Sequence, residues 1–317
     1  MPIDQAPDMT RWTGRVDQEP DSTRWHQQIQ AWQPDAKPGF PLLGFVCDEG
    51  VRRNKGRLGA AEGPAALRQA LASLAVHDSR PLYDAGDIVC DDGDLPGAHE
   101  RLADSVADLL AAGQKPMVLG GGHEIAYGTW SGLAQHLDQH GARTPRIGII
   151  NFDAHFDLRP LSEAPSSGTP FNQIAQQCEQ QGWPFRYACL GVSRAANTRT
   201  LFQRADDLGV VYREDFQMTA SELPELHTLL DHFMADCDVL YLTLCLDVFP
   251  AAAVPGVSAP AVHGVPLDVI EPLQRRIAAS GRLAVTDIAE LNPQYDQDQR
   301  SARLAARCLH TLKQHWA

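Results

Sequence analysis

Short apolar runs alternate with longer amphipathic segments along most of the chain. The runs are rich in Val, Ile and Leu at consecutive positions, which is typical of parallel strands that are covered on both faces. They predict strands at residues 41–47, 116–119, 146–151, 187–192, 210–212, 239–246 and 282–286. The amphipathic segments predict helices at residues 64–74, 98–112, 124–140, 198–208, 222–235, 268–279 and 297–314.

This alternation of strands and helices favours a single α/β domain with a mainly parallel sheet. The first 38 residues are rich in Trp, Gln, Pro and Asp and lack the pattern. They predict an N-terminal extension at residues 1–38, followed by one domain at residues 39–317. The length of 317 residues would also allow two domains. No shift in composition marks a boundary between them.

The net charge limits the possible binding partners, and the cysteine content indicates the cellular compartment. The chain has 27 basic and 40 acidic residues, a net charge of −13, which argues against nucleic acid or an anionic membrane as a partner. No apolar run approaches the length of about 18 residues that predicts a membrane span, and we expect no secretory leader. The seven cysteines are odd in number and widely spaced, so they predict no disulfide framework and a cytoplasmic location.

Three segments with the chemistry of a metal site follow predicted strands. Residues 120–124 read GGGHE, residues 151–157 read NFDAHFD, and residues 245–247 read CLD. Because the carboxyl ends of parallel strands meet at one edge of a sheet, we expect these segments to lie close together. They bring histidine, aspartate and cysteine side chains to that edge.

The spacing of these residues supports metal binding. Side chains at alternate positions of an extended segment point to one side, as in Asp153, His155 and Asp157. Such mixed ligands suit Mn²⁺, Fe²⁺ or Zn²⁺. Together with His123, Cys245 and Asp247 these residues make six candidate ligands, which are too many for one ion but suit two. Two neighbouring ions can lower the pKa of a water molecule bound between them and orient it as a nucleophile. Taken singly, such residues are also found as structural histidines, helix N-caps and small buried cysteines.

These motifs resemble those of the ureohydrolase superfamily, which includes arginase, agmatinase and formimidoylglutamase. The likeness extends from about residue 43 to the C-terminus. The segment DAHFD at residues 153–157 is similar to the superfamily's Asp-Ala-His-x-Asp motif. His123 is similar to its first histidine ligand, and residues 245–247 to its Asp-x-Asp motif. The resemblance implies a three-layer α/β/α sandwich with two Mn²⁺ ions per subunit, in a homo-oligomer.

Within the superfamily the chain most resembles the formimidoylglutamase branch. The segments that carry this are GVRRN at 50–54, GAAEGP at 59–64, GVSRAANT at 191–198 and DIAELNP at 287–293. Gly122 stands where arginase-like members often have Asp, and Phe171 falls near a position where they have His. The resemblance to this branch implies that the protein is a metal-dependent enzyme that hydrolyses N-formimidoyl-L-glutamate to L-glutamate and formamide, a step of histidine degradation.

Given this reaction, single residues have expected roles, of which that of Glu290 follows from the resemblance. Asp157 is expected to be both a metal ligand and a proton acceptor, and Glu290 to hold the cationic end of the substrate. Arg159 is the first candidate for binding a substrate carboxylate. The further candidates for substrate contacts are Ser167, Arg194 and Asn197. The alternatives are a capping or surface acid for Glu290 and surface ion pairs for the arginines.

Cys245 departs from the superfamily pattern, which has Asp at the bridging position. A thiolate is softer than a carboxylate and favours Zn²⁺ or Fe²⁺. Two other functions stay open, and only the second of them rests on Cys245. One is a ureohydrolase acting on agmatine, arginine or another guanidino compound. The other is a metal-poor homologue that binds a ligand or partner without turnover.

Overall fold

The computed structural model describes residues 1–141, 143–161 and 164–317. Within these residues the strands are β1 (Gln30–Ala31), β2 (Phe40–Val46), β3 (Leu82–Val89), β4 (Met117–Leu119), β5 (Ile147–Phe152), β6 (Arg186–Val192), β7 (Val211–Glu214), β8 (Val239–Cys245) and β9 (Leu283–Ala289). The helices of the same residues are α1 (Trp25–Gln28), α2 (Glu49–Arg53), α3 (Gly63–Ala72), α4 (Leu95–Ala111), α5 (Ile125–Gln139), α6 (Pro170–Gln181), α7 (Arg199–Asp207), α8 (Leu223–Ala235), α9 (Leu267–Ala278) and α10 (Arg300–His315).

The strands of the described residues form one sheet in the order β1-β3-β2-β4-β9-β8-β5-β6-β7. Every neighbouring pair is parallel. Strands β4, β9, β8 and β5 are therefore consecutive in the middle of the sheet. Because parallel strands end at the same edge, the residues that follow these four strands meet there.

Helices cover both faces of the sheet. Successive residues of β2 show this, because Leu42 and Leu43 belong to separate clusters of buried apolar side chains. The cluster of Leu42 includes residues of α3, α8, α9 and α10, such as Leu309. The cluster of Leu43 includes residues of α4, α5 and α6, such as Leu133 and Ile174. The predicted three-layer α/β/α sandwich is thus confirmed.

The sequence pattern did not predict every element. Strands β1 and β3 and helices α1, α2 and α6 are absent from the prediction. Strand β3 contains Asp84, Gly86 and Asp87, which break the apolar run that marks the other strands, and both aspartates pair with the buried Arg68. Helix α6 is rich in glutamine, although its Phe171 and other apolar side chains face the core.

Residues before position 39 pack against the sheet. Trp25 is completely buried, and Trp12 is nearly so. The indole Nε1 of Trp12 donates to Asp84 Oδ2 at 2.8 Å, and Gln30–Ala31 pairs with β3 at the edge of the sheet. As a sequence boundary, the division after residue 38 stays a prediction. Among the described helices, none combines the length and apolar character that crossing a membrane requires.

Candidate metal centre

The glycines after β4 allow the chain to pass between two neighbouring strands. Gly120 N donates to Ile288 O at 2.7 Å, and Gly121 N donates to Phe45 O at 3.0 Å. A Cβ atom on Gly121 would lie 1.8 Å from Cys47 O, so only glycine fits this close approach. The loop then delivers His123 to the carboxyl edge of the sheet.

His123 is enclosed by carboxylates. Its Nδ1 lies 2.9 Å from Asp153 Oδ2 and 2.9 Å from Asp157 Oδ2. This Nδ1 is buried, and none of the described residues offers it a hydrogen bond of acceptable geometry. On the other side of the ring, Nε2 lies 3.0 Å from Thr243 Oγ1. Thr243 therefore fixes the ring so that Nδ1 points into the group of carboxylates.

A second group of potential ligands adjoins the first. His155 Nδ1 lies 3.1 Å from Asp247 Oδ2 and 3.5 Å from Asp153 Oδ1. Potential ligand atoms of His123, Asp153 and Cys245 lie within 4.8 Å of one another, and the same holds for Asp153, His155 and Asp247. Asp153 belongs to both groups, so its two oxygens can serve two neighbouring positions.

These groups fit a pair of metal ions. Atoms about 2.1 Å from an octahedral ion lie about 3 Å from one another, which matches the observed approach of imidazole nitrogen to carboxylate oxygen. His123 Nδ1 and Asp247 Oδ1 are buried without a hydrogen-bond partner among the described residues. Burying such groups unpaired is costly, and cations would satisfy them. Imidazole with carboxylate is a donor set that Mn²⁺, Fe²⁺ and Zn²⁺ accept.

The electrostatics of the ligands agree with a site for cations. Burial opposes protonation of His123, but Asp153 and Asp157 outweigh it and raise the pKa of the ring well above its ordinary value. Burial likewise opposes protonation of His155, while Asp247 and Asp153 raise its pKa. The pKa of the Cys245 thiol is raised by burial and by the surrounding carboxylates. Metal ions would displace these protons and stabilise the thiolate.

Asp157 and Glu290 both have a strained backbone and a carboxyl group whose pKa is raised. Both adopt left-handed conformations, with φ of 48° and 71°. Burial and the charge of Asp153 raise the pKa of Asp157 to about 6. Burial, followed by the charges of Glu124 and Asp247, raises the pKa of Glu290 to about 8. Glu290 Oε1 accepts from His123 N at 3.0 Å, while its buried Oε2 has no partner among the described residues.

A cavity of about 300 Å³ opens above this edge of the sheet. Asp153 is completely buried beneath it. Most of the other residues predicted for the site line its wall, namely His123, His155, Asp157, Arg159, Ser167, Asn197, Cys245, Asp247 and Glu290. The topology explains this convergence, because the residues lie at the carboxyl ends of β4, β5, β8 and β9 or in the loops beside them. Arg194 does not line this cavity.

Two of the residues predicted to bind substrate are engaged elsewhere. The guanidinium of Arg194 forms a two-point ion pair with Glu214, with distances of 2.7 and 2.5 Å. Asn197 Oδ1 accepts from Phe156 N at 3.1 Å, and its Nδ2 donates to Ala154 O at 2.9 Å. Asn197 therefore holds the loop that carries His155. Arg159 lines the cavity, and no acidic group of the described residues pairs with it.

Sequence reasoning did not find several residues that support the site. Asn151 Nδ2 donates to Asp153 Oδ2 at 3.0 Å, and Thr243 contacts His123 as described above. Phe171 packs edge-on against the His123 ring from the protein interior, with 5.5 Å between the ring centroids. Lys55 lines the cavity from the loop after α2. The helix-ending sequence Asn-Lys-Gly at 54–56 was the available signal for that loop.

A three-layer sandwich with this cluster of ligands at its central strand ends defines an arginase-like fold with a metal centre. A family model for the arginase family matches residues 39–313. The chain therefore belongs to the arginase family.

Its relatives within that family are named more narrowly. The formimidoylglutamase of Aeromonas hydrophila subsp. hydrophila is 59% identical over 309 residues, covering 96% of this chain and 97% of the relative. The formimidoylglutamase of Chromobacterium violaceum is 53% identical over 311 residues, covering 97% and 98%.

Solved structures agree with these relatives. The crystal structure of formimidoylglutamase from Bacillus subtilis superimposes with a TM-score of 0.82 at 25% identity, covering 95% of this chain and 94% of that one. Trypanosoma cruzi formiminoglutamase, whose structure contains Mn²⁺, superimposes with a TM-score of 0.80 at 28% identity, covering 92% and 98%.

Proposed function

We propose that this protein is a formimidoylglutamase, which hydrolyses N-formimidoyl-L-glutamate to L-glutamate and formamide in histidine degradation. The observation that carries this proposal is the charge distribution of the cavity. Its lining includes the carboxylates Asp157, Asp247 and Glu290, of which the last two are buried, and the exposed cation Arg159, which has no acidic partner among the described residues. This arrangement complements a substrate with a cationic amidine at one end and carboxylates at the other. The names of the relatives support the same substrate.

We propose two Mn²⁺ ions as the cofactor. His123, Asp153 and Cys245 would hold one ion, and Asp153, His155 and Asp247 the other, since these are the two groups of converging ligand atoms. Asp157 would join the first group, because it lies beside His123. When bound, the ions supply Lewis acidity, which polarises the reacting groups and makes water more acidic.

Glu290 orients the substrate amidine. Its unpartnered, buried Oε2 is available to accept a hydrogen bond from the amidine nitrogens, while Oε1 is already held by His123 N. A cation next to Glu290 favours the ionised carboxylate over the protonated form, which is otherwise favoured by burial. This pairing places the amidine carbon over the ligand cluster.

Asp157 moves the proton of the reaction. Water adds through oxygen to the amidine carbon, and the bond from that carbon to the glutamate nitrogen breaks. Asp157 accepts a proton from the water and delivers it to the leaving nitrogen, so that formamide and glutamate result. Asp157 lines the cavity beside the ligand cluster, which places its carboxylate where it can accept this proton and release it again.

Substrate carboxylates are bound by side chains of the cavity wall. Arg159 supplies the cation for one of them, and Ser167 lies beside it in the lining. Asn197 acts through the backbone of the loop that it holds. Arg194 stays a candidate only if the ion pair with Glu214 opens.

We also propose that the protein is a cytoplasmic homo-oligomer without nucleic-acid or membrane partners. All seven cysteines are unpaired thiols, which fits a reducing compartment. The net charge of −13 disfavours binding to polyanions. Light scattering of the purified chain would give its oligomeric state.

The decisive experiment measures glutamate release from N-formimidoyl-L-glutamate by the purified protein with added Mn²⁺. Arginine and agmatine serve as control substrates, and Cys245→Asp is assayed beside the wild type. We expect wild-type turnover of formimidoylglutamate alone. Turnover only by Cys245→Asp would indicate a metal-poor natural site. Hydrolysis of a guanidino compound instead would indicate another ureohydrolase, and inactivity of both proteins on every substrate would contradict the proposed function.

A further inference from the structure

Two cations at the cavity are not committed to other partners. Within the described residues, the side chains of Lys55 and Arg159 both line the cavity, both are exposed, and neither makes an ion pair or hydrogen bond. Neighbouring cations differ in this respect. Arg57 donates to Ser258 O at 3.1 Å and stacks on the Tyr295 ring at 4.1 Å. Lys55 and Arg159 are therefore the cations available to an anionic ligand.

The backbone of Lys55 is strained in the same way as that of the site carboxylates. Lys55 has φ of 62°, in the left-handed region that favours glycine. Of six non-glycine residues with such backbone in the described chain, Lys55, Asp157 and Glu290 line this cavity. Strain of this kind persists where the surrounding structure holds it, and it concentrates at ligand sites.

The loop that carries Lys55 is fastened on both sides. Asn54 Nδ2 donates to Ser167 Oγ at 3.1 Å, on one wall of the cavity. Arg57 N donates to Ser258 Oγ at 3.1 Å, on the other wall. Asn292 Nδ2, which lies two residues after Glu290, donates to Arg57 O at 3.1 Å. Lys55 is therefore held at the cavity although its side chain has no partner among the described residues.

We propose that Lys55 binds the side-chain carboxylate of the substrate and so determines specificity for a dicarboxylate. This inference rests on the proposed function. Arg159 follows Asp157 by two residues, which suits the α-carboxylate, because that group is attached next to the reacting nitrogen. Lys55 comes from a separate loop, which suits the carboxylate farther from the reacting carbon. The protein would thus bind the two carboxylates of the glutamate moiety with separate cations.

The test compares Lys55→Met with Lys55→Arg and with Arg52→Met as a matched control. Arg52 is an exposed cation on the preceding helix that pairs with Glu49 and does not line the cavity. The substrates are N-formimidoyl-L-glutamate and N-formimidoyl-L-glutamine, whose side chain ends in a neutral amide. For the glutamate compound, we expect Lys55→Met to raise KM by about 10- to 100-fold with kcat within about twofold, as for loss of a hydrogen bond to a charged group. Lys55→Arg should recover most of this loss, and Arg52→Met should match the wild type.

The amide substrate separates a binding role from a structural one. If Lys55 contacts the side-chain carboxylate, the wild type and Lys55→Met will have similar KM values for the glutamine compound. An unchanged KM for the glutamate compound in Lys55→Met, or an equal rise for both substrates, would overturn the proposal for Lys55 alone. A wild type that hydrolyses neither compound would overturn the proposed function together with it.

Discussion

Two buried clusters of charged side chains differ in how completely their atoms are paired. In the first, which we call the salt-bridge cluster, Arg68 donates to Asp84 and Asp87 with N–O distances of 2.7 to 2.9 Å. Trp12 Nε1 and Gly86 N complete the partners of Asp84. Every nitrogen of this guanidinium has an acceptor, and the cluster joins helix α3 to strand β3.

The second, the ligand cluster, consists of His123, Asp153, His155, Asp157, Cys245 and Asp247. Most of it is also buried, but its nitrogen and oxygen atoms crowd together without complete pairing among the described residues, as at His123 Nδ1 and Asp247 Oδ1. Burial and charge are common to both clusters, so neither distinguishes a site from a structural ion pair. The distinguishing feature is atoms that converge on a point and still lack a partner.

The largest effect should follow removal of the carboxylate that both ligand groups contain. Asp153→Asn keeps the shape of the side chain but weakens two ligand positions, so we expect kcat/KM for formimidoylglutamate to fall by about 10³-fold or more. Metal analysis of the purified variant should show reduced Mn²⁺. Asp84→Asn, in the salt-bridge cluster, is the matched control and should keep its Mn²⁺. Full metal content and activity in Asp153→Asn would refute the assignment of the ligand cluster.

A substitution in the salt-bridge cluster should instead lower stability and leave metal binding unchanged. Arg68→Met leaves two buried aspartates without their cation, so the free energy of unfolding should fall by about 3–5 kcal/mol. Mn²⁺ bound per folded molecule should stay the same, since Arg68 is not part of the ligand cluster. Urea unfolding measures the first quantity and metal analysis the second. Arg52→Met removes an exposed cation from Glu49, which keeps Arg53 as a partner, so it should cost no more than about 1 kcal/mol.

These clusters also explain how far the sequence could predict the molecule. The ligand motifs follow apolar strands, so their convergence could be predicted from the parallel sheet alone. Strand β3 could not be predicted from the sequence, because Asp84 and Asp87 are residue types that are common in turns. Only the fold shows that Arg68 pairs with both of them. Asn151 and Thr243 were missed for a similar reason. Their polar side chains lie within apolar strands, and only the fold brings them against Asp153 and His123.

A smaller effect should come from the side chain that orients His123. Thr243→Val removes the hydroxyl beside Nε2 while keeping the volume and the β-branched shape. Loss of such a partner typically weakens metal affinity by about 10- to 100-fold, and we expect that range for Mn²⁺. Thr286→Val, on the neighbouring strand β9, is the control, because its buried hydroxyl has no partner among the described residues. Equal Mn²⁺ affinity in both variants would argue against an orienting role for Thr243.

The smallest expected effect is on the pH dependence of stability, which should differ between the metal-free and the Mn²⁺-loaded protein. Without metal, His123 and His155 have pKa values well above 6.5, and Glu290 has a pKa of about 8. The folded chain therefore binds more protons than the unfolded chain between pH 6.5 and 8, and its stability falls as pH rises through this window. Bound Mn²⁺ replaces the protons of the two histidines and its charge disfavours protonation of Glu290, so the protein loaded with Mn²⁺ should lose less stability over this pH range.

The measurement is the difference in Tm between Mn²⁺-loaded and EDTA-treated protein at pH 6.5 and at pH 8. We expect this difference to be larger at pH 8 by about 2–4 °C, which corresponds to roughly one pKa unit of linkage. In Asp153→Asn, Mn²⁺ should change Tm little at either pH, because the ligand shared by both groups is gone. A wild-type difference that is constant or shrinks with rising pH would mean that the cluster does not exchange protons for metal.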